Sequence, residues 1–141
     1  LLVQLNSEQL VEYIKDDPVR PHIPIEWRLS FGREVYGLFD NNKDVKAIIC
    51  VAYTNDVPTC EEDLDDYGSS VAVFYTVWSY SRGSGREIVS NVANTIKDTN
   101  PQIKRYVTLS PLTTMAERFH LANGAKFIGT HTTCQNFEYI L

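Results

Sequence analysis

Basic residues are scarce in this sequence: 13 Lys and Arg stand against 18 Asp and Glu, leaving a formal charge of -5. A chain with that balance lacks the positive face needed to grip a phosphate backbone, which excludes a general nucleic-acid binder. Cysteine is sparse as well. Cys50, Cys60 and Cys134 are odd in number and widely spaced with no CxxC pair, so neither a disulfide framework nor a zinc knuckle is encoded, and no metal is expected. Long apolar runs are missing: Val45 to Tyr53 and Val71 to Trp78 fall far short of the roughly 20 residues of a membrane helix, so no membrane partner is expected. No basic, apolar leader opens the sequence, and with unpaired cysteines this predicts a reducing, cytoplasmic setting. Carboxylates cluster at Glu61-Glu62-Asp63-Leu64-Asp65-Asp66, without the alternating ligands, central Gly and closing Glu of a calcium loop. That stretch reads as a solvated loop.

What is present is enough for one domain. The 141 residues, 43% hydrophobic, contain no repeat, low-complexity tract or linker, so residues 1 to 141 are expected to fold as a single unit around a sizeable core. Asn6-Ser7-Glu8-Gln9 reads as a capping box, with Leu10, Val11 and Ile14 following at helical spacing and Pro18 closing the helix. Pro21 to Ile25 carries two prolines and is expected to be extended. Strands are predicted at Arg33 to Phe39 and Val45 to Thr54, joined as a hairpin by the turn residues Asp40 to Asp44. Ser70 to Trp78 is β-branched and aromatic throughout, as in a strand covered on both faces. A helix from about Arg86 to Asp98 is marked by Ile88, Val89, Val92 and Ile96. A short strand at Tyr106 to Leu109, a helix around Met115 to Phe119 ended by Asn123-Gly124, and strands at Ala125 to Thr130 and Asn136 to Ile140 complete the chain. The class is α/β, a mixed sheet in the order α-β-β-β-α-β-α-β-β, with a crossover in its middle.

Chemistry is first suggested where the buried strand meets the long helix, at Arg82-Gly83-Ser84-Gly85-Arg86. Glycines let backbone amides approach a ligand, and the free N–H groups and positive dipole end of the following helix suit an anion such as a pyrophosphate. No Gly-Lys-Ser/Thr follows, and Ile88 stands where a dinucleotide fingerprint needs its third glycine. The alternative is a tight turn that needs glycine only for its backbone angles.

A buried strand ending in Gly83 and Gly85 and opening a helix resembles the coenzyme A pyrophosphate site of the GNAT acyltransferase superfamily. Tyr80 stands where that pattern has Gln or Arg. The stretch Ala116 to Ala125 is similar to the superfamily's later signature, with His120 in the position of its usual Tyr. Ala72-Val73-Phe74-Tyr75, Thr108-Leu109-Ser110-Pro111-Leu112, Arg118 to Ala125 and Asn136-Phe137-Glu138-Tyr139 resemble the malonyl-CoA decarboxylase family more closely, over roughly residues 20 to 139. The resemblance does not extend to that family's helical N-terminal domain, and only nine residues lie between Ser110 and His120, where the family has a long insertion.

The resemblance implies a GNAT-like fold that takes a coenzyme A thioester, malonyl-CoA or acetyl-CoA, as its small-molecule substrate. Arg82, Gly83, Ser84, Gly85 and Arg86 would hold the pyrophosphate, and a backbone amide of the Val77-Trp78 strand would serve the thioester oxygen. Ser110 and His120 would form the catalytic pair, with His120 titrating near neutrality. Three activities stay open: a minimal malonyl-CoA decarboxylase, an N-acyltransferase using His120 to reprotonate the thiolate, and a non-catalytic acyl-CoA binder. For the transferase no acceptor base stands out among Glu26, Glu34 and Glu138. Ser110 followed by Pro111 also reads as a helix N-cap, which would put His120 about 15 Å along the helix. His120 itself also fits a partly buried structural histidine. His131 shows no partner, and the terminal strands offer an edge through which a homodimer would form.

Overall fold

The computed structural model describes residues 1–141. An eight-stranded mixed sheet carries four short or medium helices, and the strand order is β1-β2-β3-β4-β5-β8-β6, with β7 on β8. β1 is Leu2–Gln4, β2 Arg33–Phe39, β3 Val45–Thr54, β4 Val71–Ser79, β5 Arg105–Thr108, β6 Ser110–Pro111, β7 Lys126–Thr130 and β8 Cys134–Tyr139. The helices are α1 Ser7–Leu10, α2 Ile25–Arg28, α3 Ser84–Thr99 and α4 Thr114–Ala122. No helix is long and apolar enough to cross a membrane.

Alternation along the central strands divides the core. Ala47, Ile49, Val51 and Tyr53 of β3 face α3, where Ile88, Val89, Val92 and Ile96 form the buried stripe. Ile48, Cys50 and Ala52 face the other way, against Leu10, Ile23 and Leu64. The β2–β3 hairpin and the α3 crossover between parallel β4 and β5 are as the sequence predicts.

Several local readings change. Leu2–Gln4 adds a strand antiparallel to β2. Pro21 and His22 form a turn closed by the Ile23 amide on the Arg20 carbonyl, and Ile25 opens α2 with extended Pro24 as its N-cap, so of the stretch expected to be extended only its end is. The acidic stretch is a short 3-10 helix, Glu61–Asp65, with Leu64 buried beneath it. It is not a free loop, because Arg20 meets Glu61 at 2.9 Å and the Trp27 indole donates to Asp65 at 2.7 Å.

The segment ahead of α2 is tied down by a buried ion pair. Arg28 Nη1 lies 2.8 Å from Asp17 Oδ2, and both side chains are fully buried. Arg28 also donates to the carbonyls of Ile23 and Arg20 at 2.9 and 2.6 Å. Asp17 Oδ1 accepts from the amides of Val19 and Arg20 and from Thr76 Oγ1 of β4. Every buried charge therefore has several partners, as a low-dielectric interior requires.

Candidate functional site

β4 and β5 run side by side only from Val71/Arg105 to Phe74/Thr108. The last bond between them is Leu109 N–H to the Phe74 carbonyl. Beyond it β4 continues to Ser79, while the other chain bends away into β6. There Ser110 and Pro111 pair with Gln135 and Cys134 of β8, continuing the register in which β5 pairs with that strand. The interruption falls at Thr108, whose hydroxyl takes the Phe137 amide in place of a ladder partner. A cleft of about 770 Å³ opens between the diverging strands. That volume is in the range of small-molecule sites. Phe74 to Tyr80, Leu109 to Pro111, Phe119 and His120 contribute to its walls, and Gly85 reaches it from α3.

β4 also bulges here: Cys50 pairs with Thr76 and Val51 with Phe74, leaving Tyr75 without a partner across from it. The Tyr75 carbonyl is taken by the buried Arg20 guanidinium. Past the bulge the Tyr80 amide bonds to the Lys46 carbonyl on β3. Polar groups alternate sides along a strand, so the Trp78 amide also faces β3, and that of Val77 faces the cleft. Of the two strand residues proposed for a thioester oxygen, only Val77 presents its backbone amide to the opening. Trp78 instead lines the cleft with its indole, which donates to Tyr80 Oη at 3.0 Å; Tyr80 in turn donates to Asp16 at 2.7 Å.

α3 begins at Ser84, two residues before the expected start, because Gly83 is its N-cap in the left-handed region at φ 81°. The amides of Ser81, Arg82, Gly83, Gly85 and Arg86 donate to no acceptor in the protein, while Ser84 and Glu87 close the turn onto the Ser81 and Gly83 carbonyls. Free amides converging on the positive end of a 16-residue helix form an anion cradle. The two glycines serve different ends. A side chain on Gly83 would meet nothing, whereas one on Gly85 would press the Phe119 ring at 2.9 Å. Gly85 thus lets α3 approach α4, and Gly83 leaves the cradle open. Arg82 and Arg86 are exposed at its rim, in no ion pair and outside the cleft wall. If the cradle takes a coenzyme A pyrophosphate, Gly83→Val is expected to weaken coenzyme A binding at least about tenfold in titration calorimetry, since a β-branched residue is strained at φ 81° and does not hold the cap that exposes these amides. Unchanged affinity would remove the pyrophosphate from this turn.

Ser110 is not a helix cap: it lies in β6, and α4 starts at Thr114 with Thr113 accepting from the Ala116 amide. The register with β8 overrides the local cap signal, which brings Ser110 and His120 to the same cleft. They are not bonded to each other. Ser110 Oγ donates to Thr108 Oγ1 at 2.8 Å, and His120 Nδ1 is 2.7 Å from the Tyr139 hydroxyl. His120 is 5% exposed, stacked on Phe137 and edge-on to Phe119. Burial lowers its pKa to about 4, so it is neutral at pH 7 rather than titrating near neutrality. Its Nε2 has no protein partner.

Elsewhere, Glu26, Glu34 and Glu138 lie outside the cleft wall, but Asp16 lines it. Asp16 sits in a 3-10 turn, and no periodicity marks it in the sequence. His131 has a partner after all, with Nε2 2.6 Å from Asn136 Oδ1. His22 pairs with Glu61 at 2.7 Å, outside the cleft.

No family model matches the chain, and no curated protein matches it in sequence. Solved structures do match it in shape. Malonyl-CoA decarboxylase from Agrobacterium vitis superposes at a TM-score of 0.83 with 18% identity, covering 100% of this chain and 60% of that one. The Rhodopseudomonas palustris malonyl-CoA decarboxylase gives 0.76 at 18% identity, over 99% of this chain and 56% of its own. The chain thus spans less than two thirds of the length of either. The Campylobacter jejuni N-acetyltransferase PseH, solved with acetyl coenzyme A, gives 0.66 at 9% identity and is covered over 98% of its length. The splayed β4–β5 pair, the α3 crossover and these superpositions identify the architecture of this chain as the GNAT fold.

Proposed function

We propose that the cleft binds an acyl-coenzyme A and decarboxylates malonyl-CoA to acetyl-CoA. The observation that carries this reading is the meeting of Ser110, His120 and the cleft-facing side of Val77 in one cavity reached by the amide-lined start of α3. The cradle would take the coenzyme A pyrophosphate, and the acyl group would lie along the unpaired edge of β4. The C2–carboxylate bond then breaks, carbon dioxide leaves, and the electron pair becomes an enolate with its charge on the thioester oxygen. The Val77 amide donates to that oxygen, a fixed dipole aimed where charge develops. Ser110, its hydroxyl proton held by Thr108, turns toward the substrate and donates to the departing carboxylate. With the Tyr139 hydroxyl donating to Nδ1, the His120 ring carries its proton on Nε2. A carbanion beside a thioester is a stronger base than the imidazolate left when a neutral imidazole gives up its Nε2 proton. The neutral ring can therefore give C2 its proton and recover one from solvent.

Asp16 supports a second reading, N-acyl transfer. Its carboxylate on the cleft wall would hold an amine acceptor and remove its proton, and His120 would protonate the leaving thiolate. Ser110→Ala separates the readings. It is expected to cut acceptor-free formation of acetyl-CoA from malonyl-CoA on the order of a hundredfold, followed by mass spectrometry, with coenzyme A affinity retained. Full decarboxylation by this variant would overturn the role of Ser110.

A further inference from the structure

We propose that a second cavity, at the C-terminal end of α3, binds a small organic ammonium ion. This cavity of about 300 Å³ is lined by Glu34, Tyr53, Phe31, Tyr67 and Asn100 among others. It lies beside the residues that lead into β4, whereas the cleft lies along the end of that strand, so the two openings share no lining residue. The site does not depend on the acyl-CoA reading.

Three features give it its preference. Glu34 forms no ion pair with Lys or Arg. Its Oε1 accepts the hydroxyls of Tyr53 and Tyr36 at 2.6 and 3.0 Å, while Oε2 has only Gln4 Nε2 at 3.4 Å. The carboxylate is thus fixed in position with acceptor capacity to spare. Burial, and then Glu34 itself, raise the pKa values of these phenols, or in Tyr53 burial and the Glu34 hydrogen bond, so both stay protonated donors. The second feature is an aromatic wall. Phe31 is 78% exposed and Tyr67 49%, with ring centroids 4.6 Å apart. The Tyr67 ring lies against Gly32, at φ 81°, where any side chain would collide with it. Exposed faces of such a pair attract a cation through the ring quadrupole. The third is the helix dipole: Asn100 is the C-cap of α3, so the negative end of the helix whose other end forms the anion cradle points here.

The one cation among the lining residues forms no bond to this carboxylate. Arg33 also lines the cavity, but its Nη atoms donate to Ser30 Oγ and to the carbonyls of Phe31 and Leu64, it pairs with Asp65 at 3.5 Å, and its guanidinium lies 4.1 Å from the Trp27 ring centroid. The small volume selects a single ammonium head with a short chain.

The test is amide-resolved NMR titration of the full chain with n-butylammonium chloride, with n-pentanol as the neutral counterpart. Saturable shifts are expected at the amides of Gly32, Gly68 and Ser69, without shifts at Gly85. Pentanol should bind about tenfold more weakly, and Glu34→Gln should weaken butylammonium about tenfold. Because Glu34 also anchors two tyrosines, Phe31→Ala on the exposed rim serves as the second variant, expected to fold and to weaken binding severalfold. Equal binding of pentanol, shifts at Gly85 instead of Gly32, or unchanged affinity in both variants would overturn the assignment.

Discussion

His120→Gln is expected to lower turnover of malonyl-CoA on the order of a thousandfold while leaving coenzyme A affinity within about twofold. Glutamine keeps a polar end within reach of Tyr139, but it cannot pass a proton to C2. The same substitution reports on the ring's burial. The folded-state pKa of His120, about 4, lies below the ordinary value of 6.5 because burial disfavours the imidazolium. Below pH 6.5 the unfolded chain therefore binds the extra proton and the folded one does not, so stability falls as pH drops toward 4. Between about pH 7.5 and about pH 5 this one group should remove about 2 kcal/mol, measured by urea denaturation. His120→Gln should lose that part of the slope. For the same reason the wild-type rate should hold steady on the acid side through the pH range where an ordinary histidine titrates. A purely structural histidine would show the stability slope without the selective loss of turnover.

Arg28→Met should destabilise the fold by about 3–5 kcal/mol, because it leaves the Asp17 carboxylate charged and fully buried without its partner. Methionine fills similar volume, so the loss measures the ion pair and its hydrogen bonds more than packing. The double variant Asp17→Leu with Arg28→Met should be less destabilised than the two single changes added together, since it leaves no orphan charge. Denaturant melts of the four chains form the cycle. The consequence reaches the cleft. Asp17 holds Thr76 of β4, and Arg20, whose backbone Arg28 grips, caps the Tyr75 carbonyl at the bulge. Pro18 and Val19 of this segment line the cleft. Loosening the pair should therefore also lower coenzyme A affinity. Additive single-variant costs would show that Asp17 and Arg28 are not coupled.

Much of this fold is legible from local chemistry. Arg33–Phe39 and Val45–Thr54 match their predicted bounds because apolar, aromatic and β-branched residues flank a polar turn, and the buried stripe of α3 follows from Ile88, Val89, Val92 and Ile96. Most of the rest depends on distant partners. Leu2–Gln4 is a strand only because β2 offers an edge. Ser110-Pro111 leaves a helix cap and a later helix start both open locally; pairing with Cys134 and Gln135 makes it a strand, and α4 starts at Thr114. The α3 start at Ser84 is by contrast a local matter, set by Gly83 in the left-handed cap position inside the glycine turn. At the site, the glycine turn and the residues Ser110 and His120 could be singled out from the sequence. The Tyr139 hydroxyl on Nδ1, the desolvation of His120 and the place of Asp16 could not, since each joins segments far apart in the chain.

The most direct test of the account is mass spectrometry of the coenzyme A species after incubation of the purified chain with malonyl-CoA and no acceptor. Acetyl-CoA should accumulate with the wild type and fail to accumulate with His120→Gln. Malonyl-CoA left intact by the wild type, with coenzyme A binding retained, would contradict decarboxylation in this cleft.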